Sequence, residues 1–120
     1  MKYTKQHLWI SLDENIATVG ITDQFIEHFG EVTHIDLPSV GKNFQKNECF
    51  AVLESTKAAI DLYLPFSGEV VALNDLMKED PSIIVNTRKN DAWMIKVRLF
   101  AMEELKDLLN FDQYRNFLDQ

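Results

Sequence analysis

Short apolar runs of strand length, separated by turn residues, fill the first two thirds of the chain and restrict it to a mostly β fold. Many short strands with regular turn signals are typical of a sandwich or a flattened barrel. We therefore expect residues 1–120 to form a single domain of this kind around one core. The predicted strands are 8–12, 16–21, 32–37, 49–53, 60–64, 69–73 and 93–100.

A short helix is predicted between the second and third of these strands. Thr22 can cap its first turn, Gly30 can stop it, and an apolar side of Phe25, Ile26 and Phe29 would face the core.

The C-terminus changes to helical spacing. Asn110 and Gln113 have the spacing of a capping box, which predicts two short helices on either side of it. Their apolar stripes are Leu105, Leu108 and Leu109 in the first, and Phe111, Tyr114, Phe117 and Leu118 in the second.

Charge and cysteine content exclude several classes of function. Twelve Lys and Arg against nineteen Asp and Glu give a net charge of -7, which argues against nucleic acid and membrane surfaces as partners. The single cysteine, Cys49, allows no intramolecular disulfide and fits a reducing compartment. The first residues show no apolar signal segment, so we expect a cytoplasmic protein without a removed leader.

The most informative feature is a lysine between two strand-like runs. Runs 49–53 and 60–64 face each other across 54–59, which places Lys57 at a hairpin tip between Thr56 and Ala58. A tip lysine is mobile at its end and fixed at its base, as the carrier of a covalent cofactor requires. Glu54 would then be a recognition point for the modifying enzyme. From spacing alone, an ordinary solvated surface lysine is the more frequent explanation.

Other chemistry-bearing residues form no recognisable site. His7, His28, His34 and Cys49 lack the paired spacing of metal ligands, so no metal site is expected. We expect Cys49 to be a small core residue, and His28 and His34 to lie on the surface. Ser67 lacks the preceding glycine of a nucleophile elbow, and no catalytic residues are predicted.

Ordered runs of residues along nearly the whole chain carry a resemblance to a known family. The runs are 3–9, 19–22, 30–32, 36–38, 40–41, 54–58, 65–70, 73–75 and 93–96. Their order and spacing make the chain resemble the H protein family of the glycine cleavage system. The resemblance implies a lipoyl/biotinyl-carrier-like flattened β-barrel (a barrel-sandwich hybrid) with lipoate in amide linkage on Lys57, in a carrier that is not itself an enzyme. Biotin carriers usually have methionine on both sides of the lysine, whereas Thr56 and Ala58 stand here.

What the resemblance implies for function is a role in glycine catabolism. The lipoyl arm would shuttle the aminomethyl (methylamine) group of glycine between the decarboxylase (P protein), the aminomethyltransferase (T protein) and dihydrolipoyl dehydrogenase (L protein). A lipoate ligase or octanoyltransferase would attach the arm. Asp61 would line the cleft that shelters it, and the chain would act as a monomer.

Two positions depart from the family and keep an alternative open. Leu8 stands where the family usually has an acidic residue of the arm cleft, and Asp91-Ala92 precedes Trp93 where glycine is common. The alternative is an H-like protein that serves as a lipoyl or octanoyl donor in lipoate metabolism, or as a regulatory modified substrate, without glycine cleavage. A third reading is an unmodified interaction domain.

Overall fold

Two antiparallel sheets enclose the core in a computed structural model that describes residues 1–81 and 93–119. The strands are β1 (Lys2–Tyr3), β2 (Leu8–Asp13), β3 (Ile16–Ile21), β4 (Val32–Asp36), β5 (Asn43–Phe44), β6 (Cys49–Ser55), β7 (Ala59–Tyr63), β8 (Gly68–Leu73) and β9 (Trp93–Leu99). The helices are α1 (Asp23–Phe29), α2 (Asp75–Glu79), a 3-10 helix (Met102–Asp107) and α3 (Phe111–Leu118).

The larger sheet has the order β1-β2-β3-β9-β8-β5, and the smaller has the order β4-β6-β7. Every strand pair is antiparallel. The two sheets are not hydrogen-bonded into a closed ring in the part of the chain that the structure describes. The result is a flattened barrel-sandwich, as the sequence predicts.

The core lies between the sheets, where strands of both contribute buried apolar side chains. Ile10 and Val97 from the larger sheet and Leu53 from the smaller one are fully buried in one cluster, to which Leu62 contributes from β7. This shared burial fixes the β6–β7 hairpin against the larger sheet, since a one-residue slip would expose its apolar face.

A second cluster joins the two ends of the chain. Tyr3, Trp9 and Tyr114 are buried together, and the rings of Tyr3 and Tyr114 stack with centroids 4.9 Å apart. Tyr3 also exchanges two backbone hydrogen bonds of 2.8 Å with Leu109. We call this cluster, with helix α3, the C-terminal anchor. The capping box of Asn110 and Gln113 is confirmed at the start of α3.

Several local expectations were wrong. Thr22 stands at the N-cap of α1 but its side chain makes no capping bond, because its hydroxyl is hydrogen-bonded to Tyr114 instead. Cys49 is exposed rather than a core residue, since it begins β6 at the edge of the core. The short elements β1, β5 and α2 were not predicted. The first C-terminal helix is a 3-10 helix that ends before Leu108.

Among the described residues, no helix is both long enough and apolar enough to span a membrane.

Candidate functional site

The β6–β7 hairpin presents Lys57 at its tip, as predicted. The Ser55 N–H donates to the Ala58 carbonyl oxygen (2.8 Å), which closes the turn. The Ser55 hydroxyl oxygen also accepts hydrogen bonds from the backbone N–H groups of Lys57 (3.4 Å) and Ala58 (3.2 Å). Thr56, Lys57 and Ala58 are all exposed. A serine side chain therefore holds the backbone of the tip while the lysine side chain points away from the core.

No side-chain hydrogen bond or ion pair engages Lys57 within residues 1–81 and 93–119. Its amine is thus accessible to a modifying enzyme. The base below it is rigid because β6 is the central strand of its sheet and its Leu53 is fully buried.

Glu54 lies at the end of β6, three residues before Lys57. It is half-buried, and it pairs with His34 of β4 on one side and with Ala59 of β7 on the other. Its carbonyl oxygen accepts a hydrogen bond from the Thr33 hydroxyl (3.2 Å). The residue thus has a fixed backbone close to the tip, which is compatible with the predicted recognition role.

A cavity of about 590 Å³ opens beside β7. It is bounded by β7, helix α1, the segment before β2 and the end of α3, and Asp61 is the one acidic side chain among its described lining residues. Asp61 is exposed and lies four residues after Lys57 in the same hairpin. The lining residues are Lys5, Gln6, His7, Gln24, Phe25, His28, Ile60, Asp61, Leu62 and Leu118.

His7 is a residue of this cavity that sequence reasoning missed, because it was weighed only as a metal ligand. Its ring Nδ1 lies 2.7 Å from the hydroxyl oxygen of Tyr114, which is itself 2.9 Å from the Thr22 hydroxyl oxygen. Burial lowers the pKa of His7, and the charge of nearby His28 lowers that pKa further. Its position just before the predicted strand 8–12 was the available signal.

Leu8 does not line the cavity. Its side chain is fully buried in the main core, and its backbone pairs with Ile21. In this chain the position that the family resemblance assigns to the cleft is therefore filled by a core residue. The other departure, at Asp91-Ala92, lies outside the described residues.

The remaining candidates do not assemble into a second site. No group of three or more His, Cys, Asp or Glu side chains suited to a metal ion occurs in the described part of the chain. His28 and His34 are exposed, as expected, and the His34 ring pairs with Asp36 at 3.1 Å. Ser67 donates two hydrogen bonds to the Glu104 carboxylate, one from its hydroxyl (2.6 Å) and one from its backbone N–H (3.0 Å).

The tip and the cavity together fit a covalent acyl arm. An exposed primary amine offers an attachment point, and a cavity with apolar side chains beside the same hairpin offers a place for an apolar chain. The apolar lining residues are Phe25, Ile60, Leu62 and Leu118.

Comparisons with known proteins agree on one family. The family model described as "Glycine cleavage H-protein" matches residues 1–120. A glycine cleavage system H protein of Thermotoga maritima is 40% identical over 119 residues, which cover 99% of this chain and 96% of that one. A mitochondrial glycine cleavage system H protein of Arabidopsis thaliana is 36% identical, covering 100% of this chain and 77% of that protein.

A solved structure agrees with the sequence comparisons. The crystal structure of a glycine cleavage system H protein from Mycobacterium marinum superposes with a TM-score of 0.90 at 29% identity, covering 99% of this chain and 96% of that one.

Proposed function

The chain belongs to the family of glycine cleavage H-proteins, and we propose that Lys57 is the residue through which it carries lipoate. The family function is that of a non-catalytic lipoyl carrier that moves intermediates between the glycine cleavage enzymes. The observation that carries the assignment to Lys57 is its exposed side chain on a tip held by Ser55.

A lipoyl group supplies a dithiol–disulfide couple that can accept and release an aminomethyl unit. The chain supplies attachment and shelter. Lys57 provides the amine for the amide bond, and exposure keeps that amine within reach of the modifying enzyme. Phe25, Ile60 and Leu62 line the cavity with apolar side chains against which the carbon chain of the arm can pack. Asp61 can accept a charge-assisted hydrogen bond from an ammonium group in the same cavity.

As a member of this family the chain interacts with other components of the glycine cleavage system. The specific partners in our proposal are the decarboxylase, the aminomethyltransferase and dihydrolipoyl dehydrogenase, together with a lipoate ligase or octanoyltransferase that uses Glu54 as a contact. A cytoplasmic location and a monomeric state are further parts of the proposal, supported by the single cysteine and the net charge of -7.

One observation favours a second candidate function. Leu8 is buried in the core, so the cavity contains one carboxylate, Asp61, among its described lining residues. A weaker hold on an ammonium group would suit a lipoyl or octanoyl donor, which needs Lys57 but no amine site. Turnover of the lipoylated protein by purified glycine decarboxylase separates the two functions.

The direct test is the intact mass of the protein purified from its native host. We expect a mass increase of one lipoyl group that maps to Lys57 and is abolished in Lys57→Arg, because arginine is a poor acylation target. Lys42→Arg, a change of the same type at another exposed lysine, should keep the full increment. Lipoate on any other lysine of Lys57→Arg would refute the assignment.

A further inference from the structure

His7 is held more firmly than its place in a loop suggests. Its backbone N–H donates to the Thr4 carbonyl oxygen (3.0 Å), and its backbone carbonyl oxygen accepts from the backbone N–H of Thr22 (2.9 Å). Its backbone adopts the left-handed conformation with φ 68°. The ring lies between Phe25 and Phe117, with centroids 5.8 and 6.0 Å away. The imidazole is therefore a fixed part of the cavity wall.

The hydrogen bonds of the buried hydroxyl groups decide where the imidazole proton sits. Thr22 is fully buried, and the Tyr114 hydroxyl is the one partner of its hydroxyl in the described parts of the chain. A buried hydroxyl that donates to nothing is costly. Thr22 therefore donates to Tyr114. The Tyr114 hydroxyl is also buried, and His7 is its other partner in the described parts of the chain, so it donates to Nδ1 of His7. The ring proton of a neutral His7 then resides on Nε2.

This arrangement gives the cavity a neutral donor. Burial and the charge of His28 lower the pKa of His7, which keeps its ring uncharged near neutral pH. Among residues 1–81 and 93–119, Nε2 has no hydrogen-bond partner. It is therefore available to a ligand in the cavity.

The length of the hairpin indicates which part of an arm meets this donor. Asp61, which shares the cavity with His7, lies four residues beyond Lys57, a span of at most roughly 13 Å in an extended chain. The sulfur atoms of a lipoyl group lie at the end distant from the lysine. The acyl amide lies close to the tip, so the sulfur-bearing end is the part that can reach the cavity.

We propose that His7 donates a hydrogen bond from Nε2 to a sulfur atom of the arm, and that Tyr114 is the residue that positions it. The inference rests on the proposed attachment at Lys57. Such a donor favours the negatively charged form of a sulfur atom and lowers the pKa of the reduced arm's thiol. Lys5 and His28 line the same cavity, and a positive charge on either also lowers the pKa of the thiol. The carboxylate of Asp61 acts in the opposite direction.

The first test needs no lipoate. Long-range ¹H–¹⁵N spectra of unmodified protein should show His7 protonated at Nε2 and unprotonated at Nδ1. Tyr114→Phe should weaken that preference, while His34, outside the cavity, keeps its spectrum. A proton on Nδ1 of His7 in the wild-type protein would overturn the proposal, whatever the outcome at Lys57.

The second test measures the thiol pKa of the lipoylated protein after reduction with a phosphine. The rate of alkylation by iodoacetamide is followed against pH, in a Cys49→Ser background because Cys49 is itself exposed. We expect the midpoint to rise by roughly half to one pH unit in His7→Phe. His7→Gln, which keeps a neutral N–H donor, should recover part of the shift, and His34→Gln should not move the midpoint.

The outcomes separate the two proposals. Equal midpoints in wild type, His7→Phe and His7→Gln would reject the role of His7 while lipoylation of Lys57 stands. Absence of a lipoyl mass increment on the wild-type protein from its native host would reject the proposed function instead. If His7→Phe does not fold, Tyr114→Phe replaces it, with an expected rise of smaller size in the same direction.

Discussion

The tip of the β6–β7 hairpin and the C-terminal anchor are built in opposite ways. At the tip, Lys57 makes no side-chain contact of hydrogen-bond or ion-pair type among the described residues, and its neighbours are exposed. In the anchor, Tyr114 is 1% exposed, stacks on Tyr3 and shares hydrogen bonds with His7 and Thr22. The first region leaves its lysine accessible, and the second holds its side chains in a fixed geometry.

This contrast predicts where substitutions should affect function and where they should affect stability. A group that must be modified by another enzyme cannot also be buried, so it contributes little to folding. The anchor closes one side of the cavity, so the same contacts that stabilise the fold also hold His7 in place. Substitutions can test this division from either side.

The largest effect is expected in the anchor from Gly20→Ala. A Cβ at Gly20 would lie 2.3 Å from Cε2 and Cζ2 of the Trp9 ring, which is 2% exposed. We expect the free energy of unfolding to fall by about 3 kcal/mol or more, measured by urea denaturation. In a Trp9→Leu background the same change should cost less. A loss below about 1 kcal/mol in the wild-type background would show that the ring can shift.

Tyr114→Phe should have an intermediate effect. It keeps the stacked ring but leaves the buried Thr22 hydroxyl without its acceptor, so we expect a loss of about 1 to 2 kcal/mol in the free energy of unfolding. Tyr63→Phe is the matched control, since Tyr63 is 39% exposed and should change stability by less than about 0.5 kcal/mol. Equal losses in the two variants would contradict the distinction between the regions.

Acidification should loosen the segment that leads into the anchor. Hydrogen bonds from the Ser67 side chain and backbone lower the pKa of Glu104. A lowered folded-state pKa contributes stability above the ordinary glutamate pKa, and that stability is lost as pH falls through the folded value.

We therefore expect thermal stability to fall as the pH drops below the ordinary glutamate pKa of 4.5, with a smaller fall in Glu104→Gln. Glu103→Gln, a change at the neighbouring exposed residue, should retain the full fall. An identical pH dependence in wild type and Glu104→Gln would show that this carboxylate does not contribute.

The hairpin and its tip could be predicted from the sequence because their signals are local. The strand-like runs 49–53 and 60–64 predict both strands, and Lys57 lies between them. The elements β1, β5 and α2 have two to five residues, too few for a period to be recognised.

The cavity could not be predicted from residue patterns, since it brings together segments that are distant in the chain. His7, Phe25, Asp61 and Leu118 meet only once both sheets and helix α3 are in place. The hydroxyl of Thr22 illustrates the same limit. Its local context predicts a helix cap, but a tyrosine 92 residues away takes the hydrogen bond.

The smallest effect on stability is expected at the tip, from Glu54→Ala. The side chain is half-buried at the end of β6, and its carbonyl oxygen keeps the hydrogen bond from Thr33 whatever side chain is present. We expect the free energy of unfolding to change by less than about 0.5 kcal/mol. Attachment of lipoate to Lys57 by purified ligase should nevertheless slow several-fold, because a charge at the edge of an interface acts mainly on the rate of association.

Salt provides the decisive control for that expectation. If the carboxylate of Glu54 guides a basic surface of the ligase, the difference between wild type and variant should shrink as ionic strength rises, since exposed charges are screened over roughly 10 Å at 0.1 M. Glu103→Ala, which removes an exposed carboxylate on the 3-10 helix, outside the β6–β7 hairpin, should leave the ligation rate unchanged. Equal ligation rates for wild type and Glu54→Ala at low salt would show that the ligase reads the backbone of the tip and Lys57 alone. The tip would then differ even more from the anchor, because the carboxylate of Glu54 would contribute to neither stability nor recognition.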